Sequence, residues 1–409
     1  MATHTHPARG QSPQRRPELD VIRMLIVIGL VFFHSALVFA ADDDFYVKNA
    51  ETSEAVLIVA GFGVVWAMPL LFLISGLGAW YSLRRRGAGG FARERLLRLG
   101  VPLVFATLVL NPLPQWLRQR AAGADHHGSY LGFLPRFYDV RLEFDEVPFI
   151  VQGEYFETGH LWFVVLLLAF SLLLAPLHRW LPRGWLRRAR DRAARTAARR
   201  RGVVLLPALG TSAICAFGKM EENYAGWHRW SYLLFFLAGF ALAADDRFRA
   251  AVRESAVPAA WLGVLLFAGA GPGFAVAEEP FTDTGAQATV ARALFGASGW
   301  CLVVAVPGLL DRRRTRRPPD TAPEPQPRPV PAATARRRLH GCLAAAVLPL
   351  YVLHQPVVVA VAYFVTGWPA PIPVEYAVLV AIALPLTVAA YELLVRRARV
   401  TRFLFGMRA

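Results

Sequence analysis

Apolar blocks of about twenty residues recur along this chain, and arginine-rich segments separate many of them. That length is what an α-helix needs to cross the hydrocarbon core of a bilayer. The pattern predicts ten helical spans, at approximately 18–41, 56–82, 99–117, 160–181, 203–217, 230–244, 257–277, 289–310, 342–367 and 373–395. The fold class expected is an all-α integral membrane protein. The third span, "LGVPLVFATLVLNPLPQWL", carries Pro102, Pro112 and Pro114, so its distal end is expected to be broken or re-entrant. The fifth and sixth spans are short.

Charge supports the count. The chain of 409 residues has a formal net charge of +16, and its only lysines are Lys48 and Lys219. With the N-terminus inside, segments such as "LRRRGAGGFARERLLR" and "HRWLPRGWLRRARDRAARTAARRR" fall inside. The inside segments together hold 36 of the 45 basic residues. This bias predicts that both termini are cytoplasmic and that the protein resides in the cytoplasmic (inner) membrane. It also explains the basicity without nucleic acid, which would require a basic face on a soluble domain. Residues 1–17 and 396–409 then form cytoplasmic tails around a membrane domain over 18–395. Within it, 312–338 reads as an Arg/Pro-rich disordered linker and 183–201 as an interfacial helix on anionic lipid. Cys215, Cys301 and Cys342 lie in or beside apolar blocks and are expected to be buried free thiols. Residues 15–40 could mimic a signal peptide, but their apolar stretch is long and interrupted by polar groups, which favours a retained span.

Those interruptions carry the chemistry. "ELDVIRMLIVIGLVFFHSALVF" holds Asp20, Arg23 and His34, although a charged group at mid-bilayer costs at least ~2.5–3.5 kcal/mol. Arg23 and His34 are eleven residues apart, three turns plus about 20°, so they share a helix face and lie ~16 Å apart along the axis. Asp20 is placed to pair with Arg23. "LPLYVLHQPVVVAVAYF" sets His354 at a depth comparable to His34. Pro356, lacking an N–H, frees the carbonyl of Val352 from its helical partner. Asp20 and Arg23 could instead simply snorkel, and each histidine could be satisfied by one interhelical bond.

Two further groups stand at span ends. "RERLLRLGVP" places Arg95 and Arg98 where they can face the same way and grip phosphate, with Arg93 adding to the field. "GEYFETGHLWFVVLLL" sets Glu154, Glu157, His160 and Trp162 at the mouth of the fourth span. They could form an acceptor site with Trp162 on a sugar face, or an interfacial aromatic belt. His126 and His127 have no companions at ligand spacing, so no metal is expected.

Taken in order, these motifs resemble the type 3 membrane acyltransferase family (acyltransferase-3). "ELDVIRMLIVIGLVFFH" is similar to its basic residue, ten residues, then His; "RERLLRLGVP" resembles its Arg-x-x-Arg segment. "GHLWFVVLLL" and "LPLYVLHQPVVV" look like the branch containing the OpgC-like glucan succinyltransferases. The resemblance implies an enzyme that moves an acyl group, acetyl or succinyl, from cytoplasmic acyl-CoA to a hydroxyl of an extracytoplasmic carbohydrate or glycolipid. Acyl-CoA would be a co-substrate, with no permanently bound cofactor. Arg23, Arg93, Arg95 and Arg98 would take its phosphates. His34 would be the general base, with His354 and Asp20 completing the catalytic set, and Glu154, Glu157, His160 and Trp162 would meet the acceptor. A covalent acyl-imidazole on His34 is the mechanistic variant. The alternative function is a proton-coupled secondary transporter using His34 and His354 as relay residues.

Overall fold

The computed structural model describes residues 17–41, 44–123, 128–180, 182–200, 202–315 and 330–407. Fourteen α-helices occur among them. They are α1 Pro17–Leu37, α2 Glu54–Arg95, α3 Val101–Val109, α4 Pro112–Ala121, α5 Tyr130–Phe137, α6 Trp162–Trp180, α7 Arg183–Arg199, α8 Pro207–Phe217, α9 Arg229–Leu242, α10 Asp246–Val276, α11 Ala286–Thr315, α12 Val330–Val365, α13 Ile372–Ala390 and α14 Arg399–Leu404. The one sheet among the described residues is a two-residue antiparallel pair, β1 Arg141–Leu142 with β2 Val151–Gln152.

Among the described residues seven segments are long and apolar enough to cross a membrane, and one of them, Glu54–Ala121, covers both the second and third expected spans. Val203–Phe217 and Arg229–Leu242 are apolar but shorter. All ten expected spans therefore fall on helix, and the protein is an all-α, multi-pass membrane protein.

Local chemistry explains the boundaries. Glu18 and Asp20 occupy the first turn of α1, where the helix dipole favours negative charge. Asp245 caps α10 by accepting the backbone N–H of Arg247 at 3.0 Å. Gly87, at φ 69° and ψ 175°, interrupts α2 in a conformation only glycine adopts freely. A π-helical turn over Leu96–Gly100 links α2 to α3, inserting an extra residue where the Arg95 and Arg98 side chains emerge. The third expected span is indeed broken: α3 stops at Val109, and Pro112 opens α4. Asn111 in the gap donates to the carbonyls of Thr158 (2.8 Å) and Glu157 (3.3 Å).

The core is built by close helix approach. A Cβ added to Gly76 would overlap the carbonyl of Phe236, and one added to Gly239 would overlap that of Leu73. The two glycines thus let α2 and α9 meet backbone to backbone, as small residues do where helices associate in lipid. An aromatic cluster fills the space beside them. Phe72 meets Phe163 and Tyr232 with ring centroids at 4.6 Å each.

Two expectations need adjustment. Cys215 and Cys301 are buried free thiols, but Cys342 is exposed, because it lies on a part of α12 that the bundle does not cover. Of the expected 312–338 linker, 312–315 end α11 and 330–338 begin α12, while 316–329 lie outside the described residues, as do His126 and His127. Helix α7, the expected interfacial helix, packs one face on the bundle: Ala194 and Ala197 are buried, and Arg247 in the first turn of α10 reaches Asp191 at 3.8 Å.

Candidate active site

Counting residues along two helices puts His34 and His354 at one depth, and the fold puts them in contact. Their ring centroids are 5.1 Å apart. His160, at the start of the helix leading into α6, closes the group with its ring 5.0 Å from that of His354. Three imidazoles from three chain segments therefore meet, with Tyr351 beside both His160 (5.4 Å) and His354 (5.6 Å).

The proline in α12 organises this cluster. Pro356 cannot donate to the carbonyl four residues back. That carbonyl, on Val352, accepts instead from His160 Nε2 at 3.2 Å. A carbonyl can only accept, so the proton of His160 sits on Nε2. The same logic applies to His354, whose Nδ1 donates to the carbonyl of Tyr351 at 2.5 Å. The Nε2 of neutral His354 is then a bare acceptor, and it is buried without a partner. Tyr351 Oη donates in turn to the carbonyl of His160. Two of the three rings are thus held by backbone.

His34 is not held in this way. Its Nδ1 is buried with no hydrogen-bond partner, while the ring packs on Phe45 at 5.8 Å and edge-on to Phe33 at 5.2 Å. His34 lines a cavity of about 640 Å³ that it shares with Tyr46, Glu157, His160, Trp162 and Gln355. That volume is in the range of small-molecule sites. His354 is fully buried behind this wall.

A second polar group faces the same cavity. Tyr46 Oη donates to the Glu157 carboxylate. Burial pushes the Glu157 carboxyl above its ordinary value of 4.5, against hydrogen bonds from Tyr46 and Gln115 that pull it down. Burial, reinforced by the Glu157 charge, raises the Tyr46 phenol well above 10. Gly159, at φ +48°, lies under this pair, where a Cβ would come within 2.7 Å of Tyr46 Oη. Glycine there satisfies both the backbone and the space. Gln355 completes the wall, with its Oε1 buried and unpartnered.

Other expected site residues lie elsewhere. Asp20 binds Arg23 at 2.9 Å, fourteen residues or ~21 Å along the helix from His34. It lies outside the histidine cluster, and the ion pair it forms on this face is with Arg23. Arg23 also donates to the carbonyl of Ile74 at 3.1 Å. Glu154 is exposed and does not line the cavity. Trp162 does line it, but its ring is largely occupied by Tyr232 at 5.1 Å and Phe72 at 6.4 Å. Tyr46 and Gln355 were missed as cavity residues. Tyr46 sits in an unpatterned loop, although Gln355 had a signal in standing beside His354 and Pro356.

The arginines form their own site. Arg86, Arg93 and Arg98 line a separate cavity of about 490 Å³ with Glu94, Phe403 and Met407. Arg95 stands beside it over the Phe91 ring at 5.0 Å and 3.6 Å from Glu94. Arg98 is 3.8 Å from the same carboxylate. Arg98, Arg23 and Arg86 are close enough to Arg95 to act on its charge. Helices α1, α2 and the π-turn thus gather four guanidinium groups expected from two separate motifs.

A multi-pass helical fold with a histidine-lined chamber and a separate arginine cluster is suited to group transfer between a charged donor and a second substrate. The acyltransferase-3 family model, described as "Acyltransferase domain", matches residues 16–392, and the chain belongs to that family. It is a membrane acyltransferase, not the transporter weighed from the sequence. No curated protein and no solved structure matches the chain.

Proposed function

We propose that this enzyme transfers a short acyl group from acyl-CoA to a hydroxyl of a carbohydrate or glycolipid, with His34 as the general base. The observation that carries the reading is that His34 alone of the three clustered imidazoles has no backbone partner and borders the cavity. A ring free to change its proton is what base catalysis needs.

His354 takes the role of positioning residue. Its Nε2 can only accept while Nδ1 is committed to Tyr351, so it is matched to a proton on His34 Nδ1. That tautomer leaves His34 Nε2 to remove the proton of the attacking hydroxyl. The hydroxyl oxygen then forms its bond to the thioester carbonyl carbon, and the C–S bond breaks to release CoA thiolate, which takes up from His34 the proton that came from the hydroxyl. Glu157, Tyr46 and Gln355 offer hydrogen bonds to the acceptor. Arg93, Arg95 and Arg98, supported by Arg23, hold the CoA phosphates by charge-assisted bonds, and Asp20 orients Arg23. Acetyl and succinyl groups are the donors proposed. "GHLWFVVLLL" and "LPLYVLHQPVVV" support the branch of glucan succinyltransferases. The arginine bias of the loops supports a cytoplasmic membrane location with both termini inside.

The test is thiol release by purified protein given acetyl-, succinyl- and longer acyl-CoAs, then transfer to added glycans. His34→Ala is expected to abolish turnover, and Arg95→Ala with Arg98→Ala to raise the KM for acyl-CoA. Full activity of His34→Ala, or an unchanged KM in the arginine variants, overturns the respective assignment. Labelled acyl group trapped on protein before acceptor is added would mark the covalent route instead.

A further inference from the structure

The cavity that holds His34 has two chemically different halves. Its polar half has been described. Its other half runs along α1 past Phe33, Gly29, Ile26 and Ile22, against Trp66 and Ala67 of α2 and Leu310 of α11. No arginine or lysine lines any part of it among the described residues, in contrast to the arginine cavity. Below, it abuts a narrow apolar crevice that shares Ile22 and Leu310 and is bordered by Arg249 and Asp311, paired at 3.1 Å.

This apolar half opens sideways. Leu25 is 61% exposed, and Gly29 is exposed as well. Both sit near the middle of the apolar segment Glu18–Leu37, the depth at which a spanning helix faces hydrocarbon rather than water. A Cβ added to Gly29 on α1, or to Gly63 on α2, would meet nothing within 4 Å. The gap between the two helices is therefore left by missing side chains. Gly29 is five residues from His34, ~7.5 Å along the axis.

We infer that this cleft is a lateral portal through which an acceptor bearing a hydrocarbon chain enters from the bilayer, its tail between α1, α2 and α11 and its hydroxyl-bearing head at His34. The inference rests on the acyl-transfer reading and narrows its acceptor to a lipid-tailed one. The wall excludes the donor's phosphates, because it offers them no cation. A glycosylated lipid of simple headgroup matches both halves, whereas a free glycan would leave the apolar half unfilled.

The test uses the full chain in nanodiscs with a dodecyl glucoside carrying a photoreactive diazirine in its alkyl chain. Crosslinks are mapped by peptide mass spectrometry. Labelling is expected at Ile26 and Trp66, in excess of Trp261 and Leu265, which are 69% and 66% exposed on the face of α10. Dodecyl glucoside should compete and methyl glucoside should not. In a Gly29→Leu/Gly63→Leu variant, labelling at Ile26 and Trp66 should fall at least tenfold while that at Trp261 persists. Leucine is a better helix former than glycine, and persistence at Trp261 reports an intact bundle.

Labelling no stronger at Ile26 and Trp66 than at Trp261 would mean an ordinary annular lipid only, and would overturn the portal. So would labelling that ignores the double substitution. Displacement of the probe by dodecanoyl-CoA but not by dodecyl glucoside would assign the cleft to a donor chain and overturn the acceptor. None of these readouts needs turnover, so failure of thiol release, which would sink the acyl-transfer reading, is scored separately.

Discussion

Two polar clusters in this protein, one partly exposed and one buried, are built on opposite rules. Around Arg229 each guanidinium nitrogen is spent. Its guanidinium bonds Glu221 at 2.7 Å, Glu146 at 2.7 Å and the carbonyl of Val147 at 3.1 Å, joining the 138–158 loop to the start of α9. In the histidine cluster, His34 Nδ1, His354 Nε2 and Gln355 Oε1 are buried and unspent. Leaving such atoms unpaired costs about 1–3 kcal/mol each. A fold that can satisfy Arg229 so fully has the means to satisfy them too. The difference is that the saturated cluster holds shape, while the unspent one borders the cavity and has hydrogen-bonding capacity left for what enters it.

The comparison breaks most readily on activity. His34→Ala should lower acyl transfer by ~10²–10⁴-fold, the usual contribution of a positioned acid–base group, with thermal unfolding little changed. Arg229→Ala should do the reverse. It should cost roughly 1.5–3 kcal/mol of stability, the range for a hydrogen bond to a charged group, while transfer per folded molecule is retained. Thiol-release kinetics and thermal unfolding on both variants decide the matter. If Arg229→Ala abolishes transfer in a fully stable protein, the contrast is false.

Much of this contrast could be read from sequence where one helix sufficed. Rise per residue fixes depth, so His34 and His354 could be matched before their 5.1 Å approach was seen. Asp20 and Arg23 were paired by their three-residue spacing. Pro356 announced a vacant carbonyl on Val352. What sequence could not supply was the group that fills it, because His160 lies 192 residues away. The Tyr46–Glu157 bond likewise spans 111 residues. Glu154 and Glu157 look alike in "GEYFETGH", and only the packing of Tyr46 over Gly159 sorts the buried carboxylate from the exposed one. The apolar blocks of α8 and α9 were visible too, but their short length against a membrane was legible only as an anomaly.

The vacant carbonyl sharpens the comparison on its stabilising side. His160→Phe should strand Val352 O in the core and cost ~1–3 kcal/mol. Pro356→Ala alone restores an N–H at the position that would ordinarily bond that carbonyl. In the His160→Phe background it should therefore recover part of the loss. Thermal unfolding of the two single variants and the double supplies the coupling. Strict additivity would mean that the proline and the histidine do not act through the same carbonyl.

The smallest effect concerns Glu157, whose position between the two kinds of cluster makes it the finest probe of the contrast. It has partners in Tyr46 and Gln115, yet burial outweighs them and holds its carboxyl above 4.5. A carboxyl raised on folding contributes stability that is complete below 4.5 and is lost as pH rises through the folded value, because the folded state binds the extra proton. Glu157→Gln removes that titration while keeping the shape. Relative to wild type, the variant should therefore gain stability between pH 4 and pH 7. Parallel unfolding curves at the two values measure it. A difference that stays constant with pH would mean that Glu157 pays no burial cost, and it would move this carboxylate to the saturated side of the comparison, beside Glu221.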